Sequence, residues 1–182
     1  MADAVTIRGV WGDMSEEMAV TVLGDVKRES PDLYREALAK TAGAFRMRPE
    51  ALRQQPLARQ AANIRRALTQ VTQQELGAHL LIEWLTKTQK PMLIHFLDKL
   101  GIPHEEGMVK EGVGPEPDPA KLRAAIEGLT AVFPSEHVRV YLLAFSVITA
   151  DEWASLPGLL EESAAVASPV RSAPSPGPSP TA

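Results

Sequence analysis

The sequence predicts an all-α fold, a helical bundle, on three observations. Apolar residues recur every three or four places over most of the chain, the segments that carry them begin at helix-start residues, and strand character is confined to one stretch. That stretch is AVTIRGVW, residues 4 to 11, which is too short to make a sheet without partners.

In chain order, residues 14 to 55 read as a helical N-terminal cap. Ser30 is an N-cap with Pro31 at the first helical position and Asp32 beside it, and Pro49 followed by Glu50 marks another start. Leu57, Ala61, Ile64, Leu68 and Val71 then step by four and three along one narrow stripe. Leu76, Leu80, Leu81, Trp84 and Leu85 continue it in a following helix. Pro91 opens the next helix and Gly101 is placed to end it in a left-handed cap, which makes a helical hairpin.

Residues 101 to 119 interrupt every helical period with four glycines and four prolines. They read as a long loop, and loops of that length in compact domains are often functional. Beyond it Leu122, Ala125, Ile126 and Leu129 form a stripe, FPSEHV breaks it, and Ser135 is placed to cap the next helix. VRVYLLAFSVI, residues 138 to 148, is apolar on nearly all sides, as expected of a helix enclosed by neighbours or by a second subunit. Thr149 and Glu152 have capping-box spacing for a last short helix that Pro157 and Gly158 disturb.

With 182 residues, 45% of them hydrophobic, the chain can bury one sizeable core, so residues 1–162 are read as one domain. A weak self-match lays IRRALTQV from Ile64 over LRAAIEGL from Leu122, and Leu80, Leu81 and Leu97 over Leu142, Leu143 and Leu159. It suggests two stacked three-helix, repeat-like units, residues 57–100 and 118–161. Residues 163–182, rich in Ser, Pro and Ala, cannot offset their ordering entropy and read as a disordered tail.

There is no cysteine, which excludes disulfides, thiolate metal sites and cysteine nucleophiles. The N-terminal residues carry acids and no signal-like apolar run, and no stretch approaches the roughly 20 residues that cross a bilayer, so a soluble, cytoplasmic protein is expected. Charge is unevenly spread. Residues 35 to 66 hold Arg35, Lys40, Arg46, Arg48, Arg53, Arg59, Arg65 and Arg66 against Glu36 and Glu50, a net of +6, which leaves −10 for the rest of a chain whose total is −4. Such asymmetry signals an acidic partner or neutralisation within the fold.

Catalytic constellations are sparse. His95 and Asp98 stand one turn apart in KPMLIHFLDKLG, on the side of their helix opposite Leu93, Phe96, Leu97 and Leu100, where a lone pair has nothing to activate. His79 and Glu83 have an i, i+4 metal-sharing spacing, and His104, Glu105 and Glu106 lie in the long loop, but no HExxH motif occurs. His137 falls in a first helical turn, where a cation opposes the helix dipole, so it is read as neutral and structural. GxSxG, Walker and GxGxxG motifs are missing, and GVGPEPDP is acidic where a phosphate loop would not be.

The resulting expectation is a non-enzymatic, intracellular helical interaction or regulatory module with no cofactor. Its contact surface is Arg46, Arg48, Arg59 and Arg66, which pair with carboxylates on an acidic protein surface. Two alternatives are carried with it: a metal-dependent or other enzyme drawing His95, Asp98, His104 and His79 to the long loop, and nucleic-acid binding through the arginine strip. A homodimer through Tyr141, Leu143 and Val147 is a further expectation.

Overall fold

The one segment with strand character folds as a helix. In the computed structural model, which describes residues 5–109, 116–148, 153, 155, 156 and 158–160, helix α1 spans Ile7–Asp13. The Thr6 hydroxyl caps it by accepting from the Gly9 N–H at 3.1 Å. Burial of Val10 and Trp11 overrides the β preference of this stretch, since a helix sends both side chains into the core together. The Trp11 indole N–H donates to the Gly77 carbonyl at 3.1 Å, and Arg65 donates to the last carbonyls of α1, Trp11 at 2.9 Å and Gly12 at 2.6 Å. A cation at a helix C-terminus both satisfies orphan acceptors and complements the dipole.

Helix α2 (Glu16–Glu29) starts at Ser15, whose hydroxyl accepts from the Met18 N–H, and buries Met18, Ala19, Val22, Leu23 and Val26 at helical spacing. Helix α3 (Pro31–Ala44) follows at once, and the short α4 (Pro49–Arg53) leads to α5 (Leu57–Leu68). The expected stripe holds through Leu68 but not to Val71, which is exposed in a 3₁₀ turn, Val71–Gln73. Gln60 joins the core instead: its amide accepts from the Tyr34 hydroxyl at 2.7 Å and donates to the Arg53 and Gln55 carbonyls, so a buried polar side chain leaves no unmet bond.

Helix α6 (Gln74–Glu83) runs into a π-helical turn, Trp84–Thr88, closed by the Gln89 N–H on the Trp84 carbonyl, and α7 (Lys90–Leu100) continues from it. Gly101 ends α7 at φ 70°, as its position in the sequence predicts. The described start of the long loop carries regular structure that its sequence does not announce. It begins with an antiparallel hairpin, β1 (His104–Glu105) and β2 (Met108–Val109), whose turn residues Glu106 and Gly107 both take positive φ.

Helix α8 (Pro119–Val132) is capped by Asp118, and α9 (Ser135–Ile148) begins one residue earlier than expected, with Ser135 inside the helix. Val138, Val140, Tyr141, Leu142, Ala144 and Phe145 of α9 are buried, as the apolar run predicts. Trp153 completes an aromatic cluster with Phe96, Tyr141 and Phe145, Leu156 is buried, and Glu116 accepts from the backbone N–H and hydroxyl of Ser155.

Helix α1 packs against α5, α6 and α9, and α2 packs against α3, α5 and the π turn, while α7 lies on α8. Helix α1, outside the residues expected as a cap, touches both expected units, while α2 and α3 of that cap pack on the first of them, and this packing lends the internal duplication no support of its own. No described helix is long and apolar enough to cross a membrane. The capping-box pair Thr149 and Glu152 and the tail from residue 163 lie outside the described residues.

Candidate functional site

Helices α3 and α5 run side by side with their like ends together. Tyr34 meets Gln60 near both N-termini, and Phe45, just past α3, lies under the guanidinium of Arg66 near the end of α5, 5.2 Å from ring centre to guanidinium carbon. Arg46 follows Phe45 and is exposed, at φ 53° in the left-handed region. The chain turns there in a Schellman arrangement, with the Met47 N–H on the Ala42 carbonyl and the Arg46 N–H on the Gly43 carbonyl. That position favours glycine, and a non-glycine residue held in it is strained by roughly 1 kcal/mol.

Arg48 precedes α4 and is exposed, as are Arg59 and Arg66 on the outer face of α5. Many other cations of the surface are paired: Arg28 with Asp25 and Glu29, Arg35 with Asp32, Lys40 with Glu36, Lys87 with Glu83, and Lys90 with Glu106. Arg46, Arg48, Arg59 and Arg66 form no ion pair among the described residues. Of the other arginines between residues 46 and 66, Arg53 is exposed and likewise forms no ion pair among the described residues, and Arg65 is turned inward onto α1. The stripe on α5 places Arg66 opposite the core, but no local pattern gives the partners of Arg65, because the carbonyls it binds lie 53 and 54 residues away.

The histidines stand differently from their expected places. His95 does not face solvent: its Nε2 is buried without a hydrogen-bond partner, and its ring meets Phe133 edge-on at 6.0 Å. The connection from α8 to α9 carries Phe133 over that side of α7, which no periodicity within α7 encodes. Asp98 is exposed and meets not His95 but His104, whose Nε2 lies 3.2 Å from its carboxylate. His104 Nδ1 accepts from the Gly107 N–H at 3.1 Å, so the ring spans the hairpin turn and ties it to α7. With Nδ1 accepting, the proton of the neutral ring sits on Nε2, facing Asp98.

His79 is exposed on α6, and Glu83 turns away from it to accept from the Ser30 hydroxyl and from Lys87 at 2.5 Å. The Lys87 ammonium and then the Ser30 hydroxyl hold the Glu83 carboxyl below the usual carboxylate range. His137 is half-buried beside Trp84, whose indole N–H donates to Asp25 at 3.2 Å. Among the described residues no three histidine or acidic side chains converge as a metal would need. A groove of about 810 Å³ between the hairpin and α7 is lined by Lys90, Leu93, Glu106, Met108 and Val109, and Lys90 and Glu106 pair at 2.6 Å within it.

The expected dimer surface is corrected as well. Tyr141 is 1% exposed, within the aromatic cluster, with burial pushing its hydroxyl pKa up, and Leu143 and Val147 pack partly against the core. Tyr141 has no free face to offer a second subunit. No family model matches the chain, and no curated protein or solved structure shows significant similarity to it.

Proposed function

We propose that this protein is a helical interaction module, intracellular and without a reaction of its own, that binds an acidic surface of a protein partner through Arg46, Arg48, Arg59 and Arg66. One observation carries the reading. These four guanidiniums are exposed and without ion pairs among the described residues, as is Arg53 on α4, while Arg28, Arg35 and Lys40 are neutralised by nearby acids. Arg46 adds weight, because strain retained at an exposed position where glycine would be relaxed points to a use for its side chain.

Titration of a labelled polyglutamate with wild-type protein and with an Arg46→Glu/Arg48→Glu variant tests it. Wild type should bind with an affinity that falls as salt rises, and the variant should bind about tenfold more weakly, the equivalent of about 1.4 kcal/mol. Equal binding by both proteins would place the contact elsewhere. Tighter binding of duplex DNA, with a steep linear fall in log affinity against log salt, would support the nucleic-acid alternative instead.

A further inference from the structure

The geometry of the basic edge points to a partner of one shape. Resting on the reading above, we propose that α5 docks an acidic α-helix of another protein, lying along it with carboxylates stacked on the facing side. Arg59 and Arg66 are seven residues apart on α5, two helical turns, which is about 10.5 Å along the axis. A facing helix repeats its side chains at that same interval, so acids at i, i+3 or i+4, and i+7 reach both guanidiniums together.

An extended strand fits less well, because it brings side chains to one face about every 6.6 Å and meets only one of the two arginines in register. Of the two α5 residues one turn from both arginines, Ala62 is small and exposed, and Asn63 is half-buried with its amide donating to Gln55 at 3.0 Å, which leaves room for a facing helix. Arg66 is already held by its stack on Phe45, and Arg46 by the turn that follows, so both have less freedom to lose on binding.

Charge selects the same class of partner. Residues 35 to 66 carry +6 and the rest of the chain −10. A short helix with a few carboxylates can meet the basic edge alone. A long polyanion with a charge at every phosphate is repelled by the remainder of the molecule.

The test uses the full chain and two alanine-based helical peptides of identical composition, one with its glutamates on a single face at i, i+3 and i+7, the other with them spread around the helix. The single-face peptide should bind about tenfold more tightly. Arg59→Glu/Arg66→Glu should abolish that preference and Arg59→Glu alone should reduce it, while Arg139→Glu on α9, which changes charge as much as the single variant does, should leave it intact. Should the double variant fail to fold, Arg59→Glu alone carries the test, since Arg59 makes no side-chain hydrogen bond or ion pair among the described residues.

If both peptides bind equally and both are weakened by the arginine reversals, the helical partner is overturned while the acid-binding edge stands. If neither peptide binds, both readings fall. Tighter binding of duplex DNA than of either peptide overturns the helix in favour of nucleic acid.

Discussion

Arg66 lies with its guanidinium carbon 5.2 Å from the centre of the Phe45 ring, fastening the last turn of α5 to the residue that ends α3. A cation over an exposed aromatic face contributes roughly 0.5–1 kcal/mol. Here it also sets where a surface charge points. Phe45→Leu keeps the apolar bulk and removes the ring face, so stability in urea should fall by about 0.5–1 kcal/mol. Polyglutamate affinity should fall as well, because Arg66 regains its rotamer freedom. Unchanged affinity would mean that the stack does not organise the edge.

Arg46→Gly separates the backbone from the side chain. At φ 53° glycine is unstrained, so the variant should gain roughly 0.5–1 kcal/mol, read as a higher denaturation midpoint at constant m-value. Acid binding should weaken in the same protein. A stability gain together with a loss of affinity is the signature of strain kept for function, and a destabilised variant would show that the turn is not strained.

Two helical glycines should respond in opposite directions to alanine. A β-carbon at Gly77 would come within 2.9 Å of Ile7 and 3.1 Å of the Trp11 indole nitrogen, which also donates to the Gly77 carbonyl. Overpacking there should outweigh the helix-propensity gain and cost about 1–3 kcal/mol, with a shift in tryptophan emission. At Gly43 nothing lies within 4 Å, so Gly43→Ala should stabilise by about 0.5–1 kcal/mol.

Acid should loosen the joint between α2, α3 and the π turn. The Glu83 carboxyl is held below the ordinary range by Lys87 and Ser30. A depressed carboxyl contributes stability that is present above its unfolded value, about 4.3, and lost as pH falls through the folded value. Urea midpoints of wild type should therefore drop on acidification below about pH 4 more than those of Glu83→Gln, which has no proton to gain at this position. Parallel curves would remove Glu83 from the acid response.

Alkali should act at Tyr34. Its hydroxyl is buried and donates to Gln60, and burial pushes its pKa up to about 12. A raised folded value means that the stability is full below the unfolded value of about 10 and is lost as pH rises through that of the folded state. Wild type should lose stability between about pH 10 and about pH 12 faster than Tyr34→Phe, followed by ellipticity and by tyrosinate absorbance.

Much of the fold was legible because its signals act within a few residues. Pro31, Pro49 and Pro91 open helices and Gly101 closes one, as their fixed φ and their freedom at positive φ respectively require. The site was legible only in part. The exposure of Arg59 and Arg66 follows from the stripe on α5, yet the half-burial of His95 against Phe133, the meeting of Asp98 with His104, and the seating of Tyr141 inside an aromatic cluster depend on other elements. The β-hairpin was missed because Glu106, not an asparagine or glycine, takes the first left-handed turn position.

By itself the sequence determined that this chain is helical, where most helices begin and end, and where its positive charge collects. Periodicity and capping are short-range, set by hydrogen bonds and side chains three or four residues apart. Only the tertiary structure decided that residues 7–13 are a helix instead of a strand, and that Arg65 turns onto the end of α1. Those choices rest on partners such as Gly77 for Trp11, 66 residues away, and no local pattern reports a neighbour that chain folding alone brings near.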